Sequence, residues 1–234
     1  MSEHRQTETL ARFSVFEDLS AGDVNQLNTQ CVWRRFEAES EILSHTDETT
    51  NVYFVVSGMV RVIIFSVLGK DTVYRDIDAG DYFGEIAAID GRPRTASVVA
   101  RTNTVVAIMP AQVFRTVTMQ HASVSFRILE RTVLLVRELS ERINEFRTLD
   151  VRHRIYRELL RLARPPKTKG AEAVISPPPM HQEIADRIST RREAVSRELK
   201  QLERDGLLRR RRGALVITDA DALANRIEGA REGT

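Results

Sequence analysis

Two stretches of the 234-residue chain combine residue types and spacings that could do chemistry. The first is FGEIAAIDGRPRTASV, Phe83 to Val98. Gly84 and Glu85 open a short apolar turn that includes Ile86. A helix start presents unpaired backbone N–H groups, which suit a phosphate. A carboxylate there would compete with an anion, so Glu85 is better suited to accept from a neutral hydroxyl beside the phosphate. Nine residues on, Arg94 follows Pro93. A guanidinium forks onto two phosphate oxygens. Thr95 adds a hydroxyl donor and Ala96 a backbone N–H. A ligand carrying a hydroxyl and a phosphodiester within a few ångströms is a ribonucleotide whose phosphate is folded onto its sugar.

The second stretch is MHQEIADRISTRREAVSRELKQLERDGLLRRRR, Met180 to Arg212. Ile184, Ala185 and Ile188 give one helix a buried face. Ser189 and Thr190 make a turn, with Thr190 expected to cap the next helix. That helix is expected from Arg191 to Leu202, with Ala194, Val195, Leu199 and Leu202 inward. Arg192, Glu193, Ser196, Arg197 and Lys200 then point outward near its amino-terminal half. Arginine pairs bidentately with guanine and glutamate accepts from cytosine, so these residues suit base edges in a major groove. His181 and Gln182 sit at the first helix's start, suited to a backbone phosphate. A wing hairpin is expected from Leu207 to Ile217, its turn carrying Arg209, Arg210 and the two arginines that follow. Backbone phosphates or plain solvation would each account for that run.

These sites need elements to position them. From Val32 to Ile108, short runs of Val, Ile, Phe and Tyr alternate with turns, and Gly58, Gly69 and Gly80 recur about 11 residues apart. That rhythm predicts a compact all-β sandwich or roll. Residues 1–12 are expected to be frayed and 13–30 to form short helices. Val113 to Leu149 contains no Gly or Pro, and Leu129, Val133, Val136, Ser140 and Ile143 follow 4, 3, 4, 3 spacing. This predicts one helix of about 37 residues and about 55 Å whose seam is buried by a second copy, hence a homodimer. Residues 151–163 form a further amphipathic helix. Arg164 to Pro179 holds five of the seven prolines and reads as a loop, with a short strand at Ala173–Ile175.

Charge is unevenly spread: residues 1–110 carry net −6, 111–180 net +6, 181–212 net +4 and 213–234 net −2. A basic second half suits a polyanion, or solvated faces laced with ion pairs. The single cysteine, Cys31, excludes a disulfide framework, a cysteine zinc cage and a protein-ligated iron–sulfur cluster. No apolar run approaches the length of a membrane span, and MSEHRQTETL lacks the apolar core of a secretory signal, so a cytoplasmic location without membrane contact is expected. The histidines show no metal or triad spacing, and Glu85 with Arg94 lacks a nucleophile–base pair, so neither a metal nor an enzyme is expected.

FGEIA…DGRPRTASV closely resembles the phosphate-binding cassette of cyclic-nucleotide-binding domains, and VYFVVSGMVRV resembles their β-roll. Residues 180–217 resemble the winged helix-turn-helix of the cyclic-AMP receptor/FNR (CRP/FNR) family of transcription regulators. Arg192, Glu193, Arg197 and Lys200 match the cyclic-AMP receptor's reading pattern, whereas Ser196 matches the FNR type. The half-site is therefore TGTGA-like or shifted toward TTGA-like. The resemblance covers about residues 13–218 and implies an α+β chain: a jelly-roll-like double-stranded β-roll over 1–112, a long dimerisation helix and hinge over 113–150, and a winged helix-turn-helix over 151–234. It implies a cyclic nucleotide effector, double-stranded DNA read as an inverted repeat, and RNA polymerase as partner. It places Gly84, Glu85, Ile86, Arg94, Thr95 and Ala96 around phosphate and ribose, with Leu139 and Ser140 at the base. Ser140 matches a serine that reaches the base across the dimer; setting the register of the seam would equally account for it. Leu139 replaces the family threonine and Leu135 an arginine. Cyclic AMP is favoured, with cyclic GMP open because Thr95 also resembles cyclic-GMP-selective cassettes. The rival is a regulator of the same type that acts without ligand or senses a different effector.

Overall fold

The computed structural model describes residues 9–65, 71–163 and 172–229. The turn expected at Gly69, residues 1–8 and residues 164–171 of the proline-rich loop lie outside the described residues. The chain divides into two compact units, and the division falls between Val136 and Arg137.

The first unit begins with two 3-10 turns, Leu10–Arg12 and Ser14–Phe16, and helix α1, Ala21–Gln30. Contrary to the expected fraying, Leu10 is fully buried and its N–H donates to Asn28 Oδ1 at 2.9 Å. Eight strands follow: β1 Val32–Phe36, β2 Glu41–Leu43, β3 Val52–Ser57, β4 Met59–Phe65, β5 Asp71–Asp78, β6 Tyr82–Phe83, β7 Ser97–Ala100 and β8 Thr104–Met109, with helix α2, Glu85–Asp90, between β6 and β7. They form two four-stranded sheets, β1-β8-β3-β6 and β2-β7-β4-β5, in which every pairing is antiparallel.

Strand β3 shows why both sides of the first sheet are covered. Its side chains alternate faces. Tyr53 and Val55 join Val60, Val62, Ile77 and Val98 of the other sheet in one apolar cluster. Val52, Phe54 and Val56 join Phe13, Phe16, Leu27 and Phe114 in another. Phe54 makes an edge contact with Phe13, ring centroids 5.1 Å apart. The first sheet is thus a wall shared by two cores, one between the sheets and one beneath helices.

The helix expected over 113–149 is broken. Helix α3 runs Ala111–Gln120 and α4 runs Ala122–Thr148, with His121 between them at φ −123, ψ 105. His121 N–H closes α3 on Val117 carbonyl at 3.0 Å, and Ser125 Oγ donates to Thr118 carbonyl at 2.5 Å. Phe114 and Val117 of α3 and Val124 and Ile128 of α4 enter the same core. No Gly or Pro is needed to make the break.

In the second unit, Arg137 to Thr148 complete α4. Next come α5 Val151–Leu162, β9 Ala173–Ile175, α6 His181–Arg187, α7 Arg192–Arg204, β10 Leu208–Arg211, β11 Ala214–Ile217 and α8 Ala220–Gly229. The strand order is β10-β11-β9, all antiparallel. Ile155, Leu159, Ile184, Val195, Leu199, Leu202 and Ile217 share one core. Helix α8, absent from the sequence reading, adds Leu223 and Ile227 to it. Among the described residues, no helix is long and apolar enough to cross a membrane.

Candidate functional site

Gly84 stands at φ 86, in the left-handed region that disfavours a side chain. A Cβ there would also lie 2.8 Å from both Arg94 Nη1 and Asn51 carbonyl. Glycine therefore permits the chain to turn into α2 while Arg94 packs against it. Arg94 is 7% exposed. Its Nη1 donates to Gly84 carbonyl at 2.9 Å, and its Nη2 to Asn51 carbonyl at 2.8 Å and Thr49 Oγ1 at 3.4 Å. Its Nε is buried without a hydrogen-bond partner. The guanidinium lies 5.7 Å from the Tyr53 ring centroid. Burial draws its pKa down, while Tyr53, Asp47 and Glu85 nearby oppose that shift. A buried cation hydrogen-bonded to neutral acceptors, with an N–H to spare, is an arrangement that an anion would complete.

Glu85, 8% exposed, is held by a residue the sequence reading did not select. Arg131 Nη1 donates to Glu85 Oε1 at 2.8 Å, its Nε to Asp81 Oδ1 at 2.9 Å and its Nη2 to Tyr82 carbonyl at 2.6 Å. Its guanidinium also stacks 4.0 Å from the Tyr82 ring centroid. Burial alone would lower the Arg131 pKa, but Glu85 and Asp81 outweigh it and raise the value above the ordinary arginine range. Val124, Ile128 and Arg131 are spaced by four and three, so Arg131 continues the core-facing stripe of α4. An arginine on that stripe was the available signal; the seam on another face obscured it.

The first unit thus brings Gly84, Glu85 and Arg94 together. Ile86 and Thr95 are exposed, and Ala96 is half-buried next to β7. Leu139 and Ser140 belong to the second unit, on an exposed part of α4. The seam residues Leu129, Val133, Val136 and Ile143 are between 44% and 60% exposed.

In the second unit, Val195, Leu199 and Leu202 seat α7 on the core. Glu198 also faces inward, accepting from Tyr156 Oη at 2.5 Å. Burial, then this bond, pushes the Tyr156 pKa up to about 12. Opposite this anchored face, Arg191, Arg192, Glu193, Arg197 and Lys200 are exposed and Ser196 half-buried. Thr190 is not the cap. Ser189 takes φ 53, the turn extends by one residue, and Arg191 occupies the N-cap without a side-chain bond.

The wing also differs from expectation. Arg209, Arg210 and Arg211 lie on β10 itself, and the turn falls at Arg212 and Gly213. Arg209 and Arg211 both pair with Glu172, at 2.5 and 3.3 Å, and Arg210 pairs with Glu203 at 2.8 Å. Gln182 Nε2 donates to Asp186 Oδ1 at 2.7 Å. Beneath this surface, fully buried Glu158 of α5 meets Arg161 of its own helix, Arg187 of α6 and Arg142 of α4 at 2.5, 3.6 and 3.7 Å. This buried cluster joins the end of α4 to the helix-turn-helix.

Comparison with known proteins decides the family. The model for the cyclic nucleotide-binding domain matches residues 33–121, and the model for the Crp-like helix-turn-helix domain matches residues 153–226. The chain belongs to the CRP/FNR family. As a CRP/FNR protein it is a DNA-binding transcription regulator with a cyclic nucleotide-binding domain, and not an enzyme. Among its relatives is Vfr, a cAMP-activated global transcriptional regulator of Pseudomonas aeruginosa. Vfr is 27% identical over 203 residues, which cover 83% of this chain and 92% of Vfr. A CooA mutant from Carboxydothermus hydrogenoformans has the same fold, with a TM-score of 0.75 at 19% identity over 95% of this chain and 99% of that one. CLP, a c-di-GMP responsive global regulator of Xanthomonas campestris, aligns with a TM-score of 0.67 at 24% identity over 85% and 99%. The CRP/FNR architecture matches the α+β organisation expected from the sequence.

Proposed function

We propose that this CRP/FNR protein is a cytoplasmic homodimer that binds a cyclic nucleotide, favouring cyclic AMP, and then reads a palindromic DNA site. The observation that carries the effector reading is Arg94: a buried guanidinium held by neutral oxygens, with its Nε unpartnered, beside the carboxylate of Glu85. Arg94 and Thr95 hold the phosphate, with Gly84, Ile86 and Ala96 shaping the cassette, and Glu85 accepts from the ribose hydroxyl. Leu139 and Ser140 of the partner helix meet the base. The cAMP-activated relative Vfr supports cyclic AMP, with cyclic GMP as the alternative nucleotide.

Ligand changes DNA binding only if it favours one of two helix arrangements. A base contact on α4 supplies that difference. The exposed apolar seam of α4 supports the dimer, and two copies of α7 spaced about one helical turn apart then meet successive major grooves. Gln182, Arg209 and Arg210 contact backbone phosphate, the arginines exchanging Glu172 and Glu203 for DNA. RNA polymerase is the downstream partner that the family implies.

A second reading, a different effector, is favoured by two features. Arg131 already occupies Glu85 Oε1, and position 139 is apolar. Selection of DNA from a random pool, run with cyclic AMP, cyclic GMP or neither, tests both readings. Enrichment of one inverted repeat with cyclic AMP, lost in Arg94→Ala, is the expected result. Equal enrichment in all three pools would overturn the cyclic-nucleotide reading.

A further inference from the structure

His181 is the first residue of α6 and is half-buried. Arg210 of β10 points an Nη2–H at its Nε2, 3.4 Å away. Because an arginine can only donate, that nitrogen is the acceptor, and the imidazole is neutral in this geometry. The groups that act on it come from both elements packed beside it. Arg192, Lys200 and Glu203 belong to α7, and Arg210 belongs to β10. Glu203 is itself bonded to Arg210 at 2.8 Å. Burial, then the neighbouring Arg210 and Arg192, draw the His181 pKa below its usual value; Glu203 opposes them and Lys200 adds to them. Three permanent cations therefore face one imidazole and one carboxylate on the side of the unit that carries the outward residues of α7.

We propose that His181 and Arg210, beside Arg192 and Lys200 of α7, form one binding site for a DNA backbone phosphate, and that His181 takes up a proton when the phosphate docks. A phosphodiester brought among these groups supplies the negative charge that the cluster lacks. It screens the imidazole from the three cations and accepts a hydrogen bond from the protonated ring, so the charged form that the free protein disfavours becomes the favoured one. The proton comes from solvent. Affinity then depends on pH with a defined sign: the bound state holds more protons than the free state, so binding tightens as pH falls and levels off at alkaline pH. This rests on DNA binding alone and does not require the effector reading.

The test uses the full chain without nucleotide and a fluorescent duplex of about 30 random base pairs, since a phosphate contact is independent of sequence. Affinity is measured at constant ionic strength from about pH 6 to about pH 8, for the wild type and for His181→Gln. Calorimetry of the wild type in two buffers of different ionisation enthalpy counts the protons taken up. The expected result is about three- to tenfold tighter wild-type binding at the acid end, with up to about one proton taken up per subunit. His181→Gln retains binding but loses most of that dependence. The second histidine of the unit, His153, is bonded to Asp150 Oδ1 at 2.7 Å and is unchanged in this variant. A pH-independent wild type, or an unaltered dependence in His181→Gln, would overturn the proposal while leaving DNA binding intact. Absence of any duplex binding would overturn both.

Discussion

Arg131 and Glu85 share a hydrogen-bonded ion pair of 2.8 Å that joins α4 to the first residue of α2. The same guanidinium holds Asp81 and stacks on Tyr82, so the carboxylate proposed to grip the ribose is fixed by the long helix. A ligand that competes for the Glu85 carboxylate would therefore also act on a side chain of α4.

Arg131→Gln removes the cation from two partly buried carboxylates. Unfolding in urea is expected to show a loss of about 2–3 kcal/mol, because the remaining charges are left without their partner. With Glu85 no longer held, the preference for cyclic AMP over its 2′-deoxy analogue is expected to fall about tenfold in competition binding.

Gly84→Ala places a Cβ in the left-handed region, 2.8 Å from Arg94 Nη1 and Asn51 carbonyl. The conformational cost alone is about 1–2 kcal/mol. The contact also displaces the guanidinium, so nucleotide affinity is expected to drop by more than the stability loss alone would cause. Calorimetric titration beside a thermal melt separates the two effects.

Arg197→Ala is expected to reduce the preference for the selected site over random DNA by about 1–3 kcal/mol, with little change in the salt dependence of binding. Filter binding at several salt concentrations distinguishes this from a phosphate contact. A uniform loss across all sequences would assign Arg197 to the backbone.

Val133→Asp puts a carboxylate at the middle of the exposed apolar seam. Sedimentation equilibrium is expected to show dimer association weakened at least tenfold, because each chain then buries one unpaired charge. Circular dichroism of the monomer stays close to wild type, because Val133 belongs to none of the three cores.

Asp150 caps α5 by accepting from His153 N–H at 2.9 Å. Burial would raise its pKa, but that backbone bond and the His153 side chain outweigh it and hold the carboxyl below its usual range. A depressed carboxylate stabilises the fold above its unfolded value of about 3.9, and the contribution disappears as pH falls through the depressed value. Asp150→Ala is expected to cost about 1 kcal/mol at neutral pH, and Asp150→Asn much less. Thermal melts at neutral and acid pH check both the size and the sign.

Residue types and short-range periodicity determined much of this protein on their own. The turn at Gly84, the carboxylate and guanidinium nine residues apart, and the two-helix reader from His181 to Arg204 depend on contacts close in sequence. Each therefore leaves a pattern in a short window, as does the period-2 alternation of β3. The tertiary structure decided what depends on partners far along the chain. It broke the helix at His121, where the Ser125 hydroxyl takes the carbonyl of Thr118, seven residues back, at the end of α3. It paired Arg131 with Glu85 across 46 residues, Arg209 with Glu172 and Arg210 with Glu203. Counting charges shows that an arginine is present; only the folded chain fixes which carboxylate lies within reach of it.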